Sequence, residues 1–336
     1  MYLIGEELMN EKMKTVTSPG QFFLYGEHGV VYNQPALIAS TDLVVRSNFK
    51  KTDDSEFMIE SEDLGKVEGS ITKKDAQWNI SGKKEDISKF KYVISAAEKT
   101  FNYIGRGDGL KISISSGIPP SSGLGSSSAV TTATIAGVSS LLNEELDRRE
   151  IIKLAYQTEK EIQGFASKAG VSAATIGGCL SIKQNEIIPL NNFPQLKIVI
   201  GYTGNQSQTE KVIKEVKRKM ENRPNIYGPI IEGIGRNARE GIDAFKEADI
   251  AKLGTLMNVN QNLLESLGIS TPQLEEIIKK AKYSGATGAK ITGSGGGGCM
   301  IAMDEGNEKE IKSSINNKAH SSFITEIGKE RLNIEK

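Results

Sequence analysis

The chain has 336 residues, with 42 basic and 42 acidic side chains and no net charge. That length exceeds the roughly 250–300 residues at which a single hydrophobic core stops growing, so two domains are expected. A balanced charge and a pI near 6.8 leave no electrostatic footprint for nucleic acid, and no run of about 18 apolar residues is present to cross a membrane.

The first 13 residues hold a short apolar run followed by Glu6, Glu7 and Glu11, which is not a signal peptide. Met9 and Met13 offer later starts, and this segment is expected to be a loose tail. Residues 14–48 read as strand, turn and strand, and 56–60, 67–72 and 110–115 carry the alternating, β-branched pattern of half-buried strands. A helix is predicted over 86–103. A second, over 124–142, places Val130, Ile135, Val138, Leu141 and Leu142 at helical spacing, and 147–163 is amphipathic. Residues 176–182 and 196–202 are strand-like. Between them a polar, Pro-containing stretch at 183–195 suggests a boundary, giving domains 14–188 and 189–336. Helices follow at 208–221, 226–246, 249–266 and 272–284, then a strand at 299–303, a helix near 306–317 and a last strand at 323–327. The basic run at 214–219 is interleaved with Glu and reads as a solvated helix face.

Two cysteines, Cys179 and Cys299, make no disulfide framework and point to a reducing, cytoplasmic setting. With His28 and His320 they lack zinc-ligand spacing, so any metal should be a hard cation held by oxygen.

The most informative segment is Ile118-Pro-Pro-Ser-Ser-Gly-Leu-Gly-Ser-Ser-Ser-Ala129, which follows a strand and opens a helix. Gly123 and Gly125 let backbone approach a ligand closely. Ser126, Ser127 and Ser128 occupy a first turn whose amides lack intrahelical partners and whose dipole favours anions, so the segment forms a candidate polyphosphate cradle. The bland counterpart is a Ser/Gly-rich turn leading into an N-capped helix. No Walker loop occurs in the chain, and the glycine spacing is not that of a dinucleotide fingerprint. A second cluster, Lys290-Ile-Thr-Gly-Ser-Gly-Gly-Gly-Gly-Cys299, precedes a strand-like segment, where a dinucleotide site needs a helix. Its apolar flanks argue against a flexible linker.

Together these segments resemble the GHMP kinases (galactokinase, homoserine kinase, mevalonate kinase and phosphomevalonate kinase), and among them the archaeal-type mevalonate kinases. The resemblance runs over roughly residues 15–327. It rests on Ser18-Pro-Gly-Gln-Phe-Phe-Leu-Tyr-Gly-Glu-His-Gly-Val-Val-Tyr32, on the Gly-Leu-Gly-Ser-Ser-Ser loop and on Gly288-Ala-Lys-Ile-Thr-Gly-Ser-Gly-Gly-Gly-Gly-Cys299, in family order. It implies an α+β fold with a ribosomal-protein-S5-like N-terminal domain, a ferredoxin-like C-terminal domain, and ATP with Mg²⁺ between them. It further implies that Pro120, Ser122, Gly123, Leu124, Gly125, Ser126, Ser127 and Ser128 hold the triphosphate and that Ser127 and Glu159 coordinate Mg²⁺. By the same resemblance Glu27, His28, Thr209, Gly293, Ser294 and Gly295 belong to the acceptor side. The implied partner is a small-molecule alcohol, most simply the 5-hydroxyl of mevalonate, with no nucleic acid and no membrane; a homodimer is common among such relatives.

The chain departs from that pattern at its centre. Gln21 stands where these kinases usually carry Lys, and Gly170 where they usually carry an Asp. Losing both is electrostatically coherent, because losing one alone would strand a partly buried charge. General-base help supplies about 10²–10⁴ in rate, roughly 3–5 kcal/mol, whereas a loose phosphoryl-transfer transition state depends chiefly on positioning and charge stabilisation. Three readings follow: a mevalonate kinase; a kinase for a more anionic relative such as mevalonate 3-phosphate, with Lys168 supplying charge near the space opened at Gly170; or a nucleotide-binding homologue with impaired catalysis.

Overall fold

The computed structural model describes residues 13–52, 55–120, 122–164, 166–183 and 186–335. Along the chain these form β1 (Lys14–Tyr25), β2 (Ala36–Lys51), β3 (Glu56–Ser61), β4 (Gly65–Lys74), β5 (Gln77–Gly82), α1 (Lys84–Lys89), α2 (Lys91–Ile104), β6 (Leu110–Ser116), α3 (Ser126–Leu141), α4 (Arg148–Gln163), α5 (Lys168–Ile176), β7 (Cys179–Lys183) and β8 (Glu186–Leu190). Then come β9 (Lys197–Tyr202), α6 (Thr209–Asn222), α7 (Pro224–Lys246), α8 (Ile250–Ser266), α9 (Pro272–Tyr283), β10 (Gly288–Ile291), β11 (Cys299–Met303), α10 (Glu308–Ile315), β12 (Ser321–Glu326) and β13 (Asn333–Glu335). No helix among the described residues is long and apolar enough to cross a membrane.

Two sheets organise the molecule. The first runs β13-β1-β2-β6-β3-β4-β5, with β7 pairing β2 and β8 pairing β7; the second runs β10-β11-β9-β12. The long β2 makes the branching possible: its first residues pair with β7 and its last with β6. Register shifts in β1 between Pro19 and Gln21 and between Phe23 and Tyr25 bend that strand where it reaches the cleft.

Helix α3 is the axis of the first half. It is buried on nearly every side from Ser128 to Ser139, and small residues allow this. The hydroxyls of Thr132 and Thr134 donate back to the carbonyls of Ser128 and Val130 at 2.9 and 2.7 Å, so burial leaves them satisfied. Gly137 lies flat against the ring of Phe49, where an added Cβ would stand 2.1 Å from a ring carbon. The second half packs α9 and α10 on its own sheet around Ile277, Met300 and Ile311. Tyr25 ties the halves together by donating to the Leu253 carbonyl at 2.6 Å.

Several elements differ from the sequence expectation. The helix expected at 86–103 is two, interrupted at Phe90, which leaves helical geometry (φ −106°, ψ 20°) and is buried in the core. The segment expected as a strand from 176 is the end of α5. Gly177 and Gly178, both at positive φ, turn the chain before β7 begins at Cys179. The polar stretch taken for a boundary contains β8, which is hydrogen-bonded into the first sheet. The last strand, β13, pairs with β1 in that same sheet, although the sequence division grouped it with the second half. The tail at residues 1–12 lies outside the described residues.

Replacing Gly137 with Ala should overpack the α3–β2 contact and cost about 1–3 kcal/mol. The check is the chemical denaturation midpoint at unchanged m-value.

Candidate active site

A cleft of about 620 Å³ is lined from both halves of the chain. Its first wall is the loop from β6 into α3. Gly123 and Gly125 both lie in the left-handed region, at φ +84° and +72°. Any side chain on Gly125 would overlap the Gln21 amide, and the Gln21 N–H donates to the Leu124 carbonyl at 2.9 Å, so β1 and the loop are locked together. Helix α3 then starts with no side-chain cap and no acid in its first turn. Its leading amides are left unclaimed at the positive end of the helix.

Glu159, on α4, faces that turn. Its Oε1 accepts from the hydroxyls of Ser127 at 3.2 Å and Ser128 at 2.8 Å. Burial pushes its carboxyl up to about 7, opposed by those two hydroxyls. Such a carboxylate, buried without a cationic partner, suits a cation. No group of three or more His, Cys, Asp or Glu clusters among the described residues. One carboxylate with adjoining hydroxyls fits Mg²⁺, which takes few protein oxygens and completes its shell with phosphate oxygens and water.

The opposite wall is built on a buried ion pair. Glu27 Oε1 meets the Lys290 ammonium, both side chains fully buried, and Glu27 Oε2 accepts from Asn260 Nδ2 at 2.9 Å. Lys290 also donates to the Ile291 carbonyl. Burial pushes the Glu27 carboxyl up, and Lys290 opposes it; burial pushes Lys290 down, and Glu27 opposes that. The pair fastens the end of β1 to β10. The next residue, His28, sits at φ +58° and bonds through Nε2 to the Ser294 carbonyl at 2.9 Å. Burial holds its pKa below the ordinary value. The Ser294 hydroxyl reaches Thr209 Oγ1 at 3.0 Å and Ser207 Oγ at 2.7 Å, binding the start of α6 to this loop.

The structure therefore brings Pro120, Ser122, Gly123, Gly125, Ser126, Ser127, Ser128, Glu159, Glu27, His28, Thr209, Gly293 and Ser294 to one cleft. Three expected residues fall outside its lining. Leu124 is buried in the core. Gly295 packs against the Ile269 carbonyl. Lys168 is exposed, with its ammonium 5.9 Å from the centre of the Tyr156 ring. Gly170 does line the cleft, but the Gln21 and Ser128 side chains stand over it, each 2.6 Å from where a Cβ would be. Both supports for a more anionic acceptor are thereby absent. Sequence reasoning gave no role to Lys290 or Asn260, or to Tyr92, whose hydroxyl accepts from Gln163 Nε2 at 2.9 Å across α2 and α4. The Lys290 signal was a single basic residue in an otherwise apolar strand.

Residues 91–178 match the GHMP kinases N terminal domain, and residues 242–321 match the GHMP kinases C terminal. Mevalonate kinase of Pyrococcus abyssi is 38% identical over 333 residues, covering 96% of this chain and 98% of the relative. That of Saccharolobus solfataricus is 31% identical, covering 92% and 96%. The crystal structure of Methanococcus jannaschii mevalonate kinase superposes with a TM-score of 0.80 at 31% identity, covering 95% of this chain and 99% of that one.

Lys290→Met should strand the Glu27 carboxylate and cost about 3–5 kcal/mol, while the double change with Glu27→Gln costs clearly less. Denaturant titration of the two single variants and the double variant measures the difference.

Proposed function

This chain belongs to the GHMP kinase family, and we propose that it transfers the γ-phosphoryl group of ATP to the 5-hydroxyl of mevalonate. The observation that carries this is the start of α3, uncapped and facing Glu159 through Ser127 and Ser128 in a cleft whose other wall is the Glu27–His28 motif. High identity to mevalonate kinases over nearly the whole of both chains supports the acceptor. The two buried free thiols suit a cytoplasmic enzyme.

In this reading the backbone of 123–128 receives the phosphate tail, since first-turn amides and the helix dipole are complementary to phosphate oxygens. Ser127, Ser128 and Glu159 would hold Mg²⁺, which would neutralise charge developing on the phosphate oxygens. Bringing a cation to Glu159 favours its ionised form, against the burial that raises it. His28, Thr209 and Ser294 place the alcohol against the phosphate loop. With neither Lys at 21 nor Asp at 170, the protein's contribution leans on orientation and fixed dipoles, which phosphoryl transfer uses most.

Incubation with ATP, Mg²⁺ and mevalonate should give ADP and mevalonate 5-phosphate, read by phosphorus NMR. Nucleotide binding without ADP above background hydrolysis would instead identify a binding protein, and better turnover of mevalonate 3-phosphate a different kinase. Glu159→Gln should lower kcat by roughly 10²-fold or more, with the circular dichroism spectrum unchanged; wild-type turnover would remove Glu159 from the site.

A further inference from the structure

The cleft contains few groups with a lone pair free to meet an alcohol. Its carboxylates are Glu27, Glu159 and Glu210. Glu27 is fully buried between Lys290 and Asn260. Glu159 is turned to the hydroxyls of Ser127 and Ser128. Glu210 is exposed and paired with Lys214 at 2.6 Å. Position 170, which could have held another acid, is glycine with its side-chain space filled.

Gln21 Oε1 has no hydrogen-bond partner among the described residues, but an amide oxygen is too weak a base to take the proton of an alcohol, which leaves His28. A backbone carbonyl only accepts, so the 2.9 Å contact between Nε2 and the Ser294 oxygen places the ring proton on Nε2. Burial first, and the Lys219 ammonium after it, lower its pKa below the ordinary value, against the Ser294 carbonyl, which raises it. Of the charged groups around it, Glu27 and Lys290 pair with each other, and Lys219 pairs with Glu215 at 3.3 Å while donating to the Leu267 carbonyl. Nδ1 consequently keeps its lone pair, and it has no hydrogen-bond partner among the described residues, although the residue lines the cleft. The backbone at φ +58° and ψ −41° is uncommon for a histidine, and the Gly29 N–H donates across it to the Glu27 carbonyl at 2.6 Å. The ring also lies one loop away from the phosphate site. Ser294, its partner, follows Gly293, whose Cβ would stand 3.0 Å from the Gly123 carbonyl.

We infer that His28 is a catalytic residue that receives the acceptor hydroxyl's proton on Nδ1. The inference rests on the kinase reading above. The alcohol O–H bond breaks and its proton goes to Nδ1. The oxygen's electron pair forms the bond to the γ-phosphorus. The bond between the γ-phosphorus and the β,γ-bridging oxygen breaks, its pair leaving with ADP. The imidazolium then returns its proton to solvent.

Two measurements test this. His28→Gln places an amide N–H donor at the Nε2 position, preserving the bond to Ser294 while deleting the Nδ1 lone pair. It should lower kcat by roughly 10²–10⁴-fold, a larger factor than any rise in KM for mevalonate, with the melting temperature maintained. A kcat within threefold of wild type overturns the assignment, as does a loss carried by KM alone. The chain has only two histidines, and His320 is exposed at the edge of the Tyr202 ring, so a ¹⁵N-histidine spectrum resolves the ring directly. The expected result is an unprotonated Nδ1 whose resonance moves toward the hydrogen-bonded position when mevalonate is added with ADP. A proton on Nδ1, or no movement at saturating mevalonate, overturns it. Absence of wild-type turnover would instead defeat the kinase reading, and the spectrum would still decide whether Nδ1 meets the alcohol.

Discussion

The cleft depends on backbone meeting backbone. The loop carrying Gly123 and the loop carrying Gly293 touch so closely that a Cβ on Gly293 would reach the Gly123 carbonyl at 3.0 Å, and one on Gly298 would reach the Ser122 carbonyl at 2.6 Å. The first loop opens α3 in one half of the molecule, and the second connects β10 to β11 in the other. Glycine is favoured by the positive φ values at Gly123, Gly293 and Gly298, and at Gly293 and Gly298 also by the close backbone across the contact. The result is a single floor to which each half contributes backbone. In the proposed function, phosphate and alcohol would be placed by peptide geometry, which moves less than rotamers do.

That floor needs a fixed relation between the halves, and the Glu27–Lys290 pair provides one. Burying two charges is costly, and their attraction repays the cost only when the remaining donors and acceptors are satisfied. Here Asn260 takes the second Glu27 oxygen and the Ile291 carbonyl takes a Lys290 proton. An apolar pair of the same volume could fill the space, but it would not fix direction. The ion pair sets the end of β1 at one orientation, and with it the strained His28 that follows. The arrangement places specificity of geometry above raw stability at this position.

How much of this was legible in the sequence follows from the range of the forces involved. The loop from 117 to 128 was readable because glycine conformation, the strand before it and the helix after it are local matters, and α3 begins within two residues of its expected start. Elements whose identity comes from a partner were not readable. Strand β8 is half exposed and β13 wholly exposed, so neither shows an alternating pattern, and both exist through pairing with β7 and β1. Strand β10 is buried on both faces, which removes alternation from the other direction. The Glu27–Lys290 contact spans 263 residues of sequence, and nothing near either residue announces the other. Lys168 was misjudged for the same reason: two residues from Gly170 along the chain, it begins a helix that turns its side chain onto Tyr156.

The departures at 21 and 170 can be understood as one change. Gln21 lies flat against Gly125, with its amide nitrogen 2.6 Å from where a Cβ of residue 170 would be. A larger residue at 170 would therefore have to displace either Gln21 or the Ser128 hydroxyl that Glu159 holds. Glycine at 170 and the amide at 21 fit each other in space, and the loss of both charges together avoids an unpaired one. Together they remove both signs of charge from the floor between the phosphate loop and the acceptor motif. The negative charge that remains on that side is Glu159, committed to the hydroxyls at the start of α3, where a cation and the phosphate tail would meet it. A neutral floor avoids repelling the triphosphate, and it leaves hydrogen bonding rather than an ion pair to orient the alcohol. A carboxylate added to this floor would favour protonation of His28, whose pKa burial lowers.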